Sequence, residues 1–114
     1  MTTPMQLINE LNMLSDDLDH ATEDMINADY HATDAEQKYR MAYAKAFLEA
    51  QGTVQQKEQI TVIATSTERY DMEIAKQILR AAKANVDSIK SRIEVSRSLS
   101  ALTRSEMALT SIIP

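Results

Sequence analysis

A chain of 114 residues with 12 Lys and Arg, 17 Asp and Glu, a net charge of −5 and no cysteine excludes several classes at the outset. Disulfide stapling and thiol chemistry are out, and wholesale binding to a phosphate backbone, which is held by Lys and Arg, is disfavoured. One Gly, two Pro, four Tyr and one Phe leave few helix breakers and little strand-forming material, so a single all-α domain is expected.

Thr3-Pro4-Met5-Gln6 reads as a helix start. Thr3 can cap, Pro4 takes the first helical position where no amide hydrogen is needed, and Gln6 can reach back to complete a capping box. From there an unbroken heptad follows: Leu7, Leu11, Leu14, Leu18, Ala21, Met25, Ala28, Ala32, Ala35, Tyr39, Ala42 and Ala46. Apolar residues in alternating steps of four and three form the seam of a helix packed lengthwise on another. The many Ala let the partner backbone come close. A helix over 4–51 would be roughly 70 Å long at about 1.5 Å per residue.

Gly52 stands where a left-handed C-terminal cap is wanted, and Thr53-Val54-Gln55-Gln56 repeats the cap-and-Gln signature directly after it. The expected fold is a long antiparallel helical hairpin, coiled-coil-like: helix 4–51, turn 52–53, helix 54–108. The apolar stripe of the second helix is expected through Ile60, Ile63/Ala64, Thr67, Ile74/Ala75, Ile78/Leu79, Ala82, Val86, Ile89 and Ile93, weakening into Ser96, Leu99 and Leu102. Thr65-Ser66-Thr67-Glu68 is a second cap-box pattern that would split this helix; continuous helical spacing favours one helix. Leu109, Ile112, Ile113 and Pro114 form an apolar tail.

Residues 1–37 hold nine acids (Glu10, Asp16, Asp17, Asp19, Glu23, Asp24, Asp29, Asp34, Glu36) and no Lys or Arg. Residues 76–104 hold seven bases (Lys76, Arg80, Lys83, Lys90, Arg92, Arg97, Arg104) against Asp87 and Glu94. Folding about Gly52 lays these stretches together, within one hairpin or between two. A core one seam wide is thin for independent stability, and Met41, Tyr43, Phe47, Leu48 and Val62 lie off the seams near the turn. Self-association is therefore expected, two hairpins forming a four-helix or larger bundle, a dimer first, with those five residues as its interface. Phe47→Asp should then break the oligomer. Met13 and Met41, also off the seam, suit adaptable partner contacts.

Asp16, His20 and Asp24 share a helix face, but His20 and Asp16 point away from the seam, so a solvated acidic face is preferred to a metal site. Asp16, Asp17 and Asp24 are instead a candidate partner face. His31 and Asp34 read the same way, as part of a solvated face, while Asp29 and Glu36, both at e positions, read as flanking charges awaiting Lys or Arg across the interface. Neither His accompanies a turn-borne Ser, and one Gly cannot make a phosphate loop, so no enzyme and no cofactor are expected. Lys90, Arg92, Arg97 and Arg104, set among serines, are the candidate nucleic-acid contacts, though no aromatic stands among them for stacking.

The stretch Tyr43-Ala44-Lys45-Ala46-Phe47-Leu48-Glu49-Ala50-Gln51-Gly52-Thr53-Val54, then Glu68-Arg69, then Arg92-Ile93-Glu94-Val95-Ser96-Arg97-Ser98-Leu99 resembles small helical early-region proteins of phages and prophages of Gram-positive bacteria. The resemblance covers residues 39–106. Proteins of that group are typically encoded among early genes, often near recombination functions, and the resemblance implies a phage setting while leaving mechanism open. The expected function is a non-catalytic protein–protein interaction module that self-associates and binds a protein partner. Two alternatives follow from that setting: a recombination or replication accessory contacting single-stranded DNA or an annealing protein, and an acidic inhibitor of a host defence complex. The N-terminus Met1-Thr2-Thr3-Pro4 lacks the basic and apolar regions of a secretory signal, and no apolar run approaches the eighteen or so residues that span a bilayer. The expected location is the cytoplasm of the bacterial host, without membrane contact.

Overall fold

The computed structural model describes residues 3–112, and the side chains of residues 3–110. Three helices account for nearly all of it: α1 (Pro4–Glu49), α2 (Val54–Ala64) and α3 (Ser66–Ile112), with no strand among the described residues. Ile113 and Pro114 of the apolar tail lie outside them.

The local signals act as their chemistry requires. Thr3 and Gln6 close a reciprocal cap, Gln6 N donating to Thr3 Oγ1 (3.2 Å) and Thr3 N to Gln6 Oε1 (2.9 Å). Thr53 and Gln56 repeat it at the start of α2, with distances of 3.2 and 3.0 Å. Gly52 precedes this cap at φ 122°, a conformation side-chain-bearing residues rarely adopt. A Cβ at Gly52 would also run into the Gln56 side chain.

Contacts group the chain into two compact units: one formed by Met1–Glu23 with Lys83–Pro114, the other by Asp24–Ala82. Each is an antiparallel pair of helical segments. In the first, Leu7, Leu14 and Ala21 of α1 are buried, and so are Val86, Ile89 and Ser96 of α3. In the second, Ala28 and Ala32 of α1 are buried along with Thr61, Thr65 and Met72. Every position of the α1 heptad is buried or half-buried. Large and small residues complement each other across both seams. The leucines of α1 share a seam with the small Ser96 and Ser100, and the alanines share one with Met72 and Leu79.

The second arm differs from expectation in two ways. Its seam enters through Thr61, Thr65, Glu68 and Met72, then continues through Ala75, Leu79, Ala82, Val86, Ile89, Ile93, Ser96, Ser100 and Thr103. Ile60, Ile63, Ala64, Thr67, Ile74 and Ile78, expected to line it, are exposed, as are Leu99 and Leu102. The cause is phase. Steps of four and three carried back from Val86 land on Thr65 and Thr61, and a helix cannot rotate locally to bury a nearby isoleucine without losing register elsewhere. The buried hydroxyls are satisfied by their own helix: Thr61 Oγ1 donates to Lys57 O and Thr65 Oγ1 to Thr61 O, each at 2.7 Å.

The second difference is a break. The arm is two helices, and Thr65 between them adopts φ −110°, ψ 16°. Its amide still donates to Thr61 O (3.0 Å), and Arg69 N still donates to Thr65 O (3.0 Å). The hydrogen-bond ladder therefore survives a one-residue distortion, as expected where a Thr hydroxyl competes for the carbonyl four residues back.

Candidate interaction surfaces

With seam positions lettered a and d, the remaining heptad positions fall on defined sides of each helix. Positions e and b lie on one side, g and c on the other, and f points away from the seam. In an antiparallel pair e faces e and g faces g. Glu36 and Lys76, both at e, form an ion pair across the helices at 3.8 Å. Glu10, Asp17 and Arg92, all at g, line one shallow recess together with Gln6, Asn9, Met13 and Leu14.

This frame divides the five residues expected near the turn. Met41 and Leu48 share position c of α1, on one side, and are 65% and 80% exposed. Tyr43, Phe47 and Val62 lie at e and b, on the other side. Tyr39, Tyr43 and Phe47 follow one another along α1, the first pair edge-on at 6.0 Å and the second stacked at 6.5 Å. The Lys57 ammonium lies 4.8 Å over the Phe47 ring. Phe47 thus has partners in its own chain, while Met41 and Leu48 are bare.

Asp16, Asp17 and Asp24 are exposed on α1, and Lys90, Arg92, Arg97 and Arg104 are exposed on α3. Asp17 and Arg92 both line the recess of the first unit. The two charge stretches make little direct contact. Among the described residues the ion pairs are Lys38–Asp34 (3.0 Å) and Arg40–Glu36 (3.2 Å), both within α1, and Lys76–Glu36 between helices. Lys38, hydrogen-bonded to the Asp34 carboxylate, has its pKa raised above the ordinary 10.5. Lys90, Arg97 and Arg104 belong to a line of basic residues spaced by seven, with Arg69, Lys76 and Lys83, all at position e.

Among the described residues no group of three or more His, Asp or Glu is placed to hold a metal ion. No helix is long and apolar enough to cross a membrane. Glu68 holds a seam position with its Oε2 buried and without a hydrogen-bond partner.

Sequence reasoning missed one surface. Ile60, Ile63, Thr67, Tyr70 and Ile74 follow c–f–c–f–c spacing, and the four large ones are 46%, 75%, 65% and 37% exposed. They form a second heptad line on the outside of α2 and the start of α3. Extending the Val86–Ile93 phase backward would have found it.

No family model, no curated protein and no solved structure matches the chain.

Proposed function

We propose that this chain is a non-catalytic helical interaction module, of phage or prophage setting, that self-associates and binds a protein partner. One observation carries the reading. In the unit Asp24–Ala82 the seam is built largely from Ala and Thr, with Glu68 among them and Met25, Tyr39, Met72 and Leu79 as its large members, while Leu48, Ile63, Met41 and Tyr70 stand in solvent. Large apolar side chains outside a thin core are the composition of a surface that another chain covers. Met41 and Leu48 suit the protein partner, since both are flexible, bare and on one line of α1.

The test is retention on the immobilised full-length chain from bacterial lysate, with and without nuclease, comparing wild type with Leu48→Asp. The expected result is a defined protein that survives nuclease and is lost with Leu48→Asp. Retention of DNA alone, or of proteins that all disappear after nuclease, would overturn the reading in favour of a nucleic-acid accessory working through Lys90, Arg92, Arg97 and Arg104. Phe47→Asp is the companion variant. Light scattering is expected to show a lower mass, and an unchanged mass would remove Phe47 from the association surface.

A further inference from the structure

We propose that a second copy of this chain docks antiparallel along the outer face of α2 and the start of α3, centred on Thr65. This rests on the self-association read above and deepens it by naming the face and the register.

Three features select a second copy rather than an unrelated partner. The first is period. Ile60, Ile63, Thr67, Tyr70 and Ile74 advance by three and four, which only another helix of the same period can follow over five layers. The second is absence of charge along that line, on a helix whose neighbouring lines carry Lys57, Arg69, Asp71, Glu73 and Lys76. An outward line of a lone hairpin has no reason to exclude charge. A line that is desolvated does, because an unpaired charge there is costly.

The third is symmetry. An isologous contact requires that what stands on one side of the two-fold axis be complementary to what stands on the other. Antiparallel packing about Thr65 sets Ile60 against the second copy's Tyr70, and Ile63 against its Thr67. In the same register the flanking g positions bring Lys57 beside the second copy's Asp71, and this pair forms twice, once on each side of the axis. The outer-layer flanks, Gln59 and Glu73, are not like-charged. Sliding one copy by one heptad sets Asp71 against the second copy's Ala64 and loses both charge pairs, and sliding by two heptads brings Asp71 against itself. Lys57, half-buried, has a cation–π contact with Phe47 to give up. Asp71 is exposed, with Lys38 of α1 in electrostatic reach.

The result is two helical pairs joined back to back through their second arms. The face of α1 that carries Met41 and Leu48 takes no part in this contact, so a dimer of this kind leaves that surface for a different protein.

Sedimentation velocity of the purified full-length chain over a concentration series provides the test, with helicity followed by circular dichroism. The wild type is expected to be a dimer, and Ile63→Glu and Tyr70→Glu to weaken dimerisation at least a hundredfold at unchanged helicity, because both side chains are exposed in the single chain. Lys57→Glu and Asp71→Lys alone are each expected to weaken it roughly tenfold by putting two like-charged pairs at the flanks. The double variant Lys57→Glu with Asp71→Lys is expected to restore it, which loss of an internal contact would not do. A wild-type dimer indifferent to Ile63→Glu and Tyr70→Glu would overturn this face while leaving self-association standing. Single charge variants that weaken the dimer without rescue in the double would overturn the register. A wild type monomeric at every concentration would overturn both the face and the self-association it rests on.

Discussion

The outward lines of α1 and α3 share a helical period and an exposure to solvent, and they differ in chemistry. Along α1 the c and f positions include Asp16, His20, Glu23 and Asp34. Along α3 the same positions run Thr67, Tyr70, Ile74, Gln77, Ala81, Ala84, Ser88, Ser91, Val95, Ser98 and Leu102, with no charged residue among them. The charges of α3 are displaced instead to the adjoining lines, above all to the basic line at every e position from Arg69 to Arg104. One arm is thus charged on its back between Asp16 and Asp34 and leaves Met41 and Leu48 bare toward the turn. The other has the pattern of a helix contacted on two sides, a seam at a and d and a second uncharged line at c and f.

The largest effect expected to break this comparison comes from moving one truncation between the two kinds of position. Leu14, buried in the seam, and Leu102, 58% exposed on the outer line, lose the same atoms on substitution by Ala. Leu14→Ala should cost about 3 kcal/mol and lower the melting temperature on the order of 15 °C. Leu102→Ala should stay within roughly 0.5 kcal/mol at a concentration where the chain is monomeric. Thermal melts that gave equal losses would mean the outer line is packed as tightly as the seam.

A smaller loss is expected at the turn on which both arms depend. Gly52→Ala places a Cβ at φ 122° and against the Gln56 side chain, whose amide oxygen holds the Thr53 cap. The cost should be about 1–3 kcal/mol by urea melts. An unchanged midpoint would show that the turn can relax to negative φ without disturbing the cap.

How far the amino-acid sequence exposes this molecule differs between its arms for a physical reason. In α1 every seam position is apolar, so periodicity and burial coincide and Leu7 to Ala46 can be read directly. The caps are equally legible, since Thr3 with Gln6 and Thr53 with Gln56 are local chemistry that needs no partner. In α2 and early α3, periodicity and hydrophobicity disagree. The seam takes Thr61, Thr65 and Glu68, while Ile60, Ile63 and Ile74 face out. A reading that follows the isoleucines fails there, because burial is decided by phase inherited along a rigid helix rather than by each residue's own preference for apolar surroundings. The candidate surfaces follow the same division. The charged stretches are where composition places them, but the grouping of Met41 with Leu48, apart from Tyr43, Phe47 and Val62, depends on which line of the helix each occupies.

Glu68 gives that disagreement a sign. A carboxylate at a seam position, with Oε2 buried and unpartnered, should be a net burden on the helical pair. Glu68→Leu is therefore expected to stabilise the fold, by about 1 kcal/mol, raising the urea midpoint. Polar seam residues also select register. If Glu68 has that role here, the stabilised variant should show broadened oligomer distributions by sedimentation alongside its higher midpoint. Destabilisation by Glu68→Leu would mean the carboxylate is satisfied in solution by a group outside the chain.

The smallest effects belong to the charge pairs, and they separate the two arms once more. Lys76 of α3 is paired with α1 through Glu36, and both side chains are more than a third exposed. Lys76→Met should cost no more than about 0.5 kcal/mol, and the difference from wild type should vanish at high salt. The Asp34–Lys38 pair lies wholly within α1 and is more exposed still, with side-chain exposures of 48% and 73%. Its pKa direction nevertheless makes a signed prediction. Lys38 is held above its unfolded value, so what it contributes is present below that value and is lost as the pH rises through the raised one. Wild type and Lys38→Met should therefore differ slightly at neutral pH and converge on alkaline titration, whereas a difference that grew with pH would reverse the sign and place Lys38 against a cation rather than against Asp34.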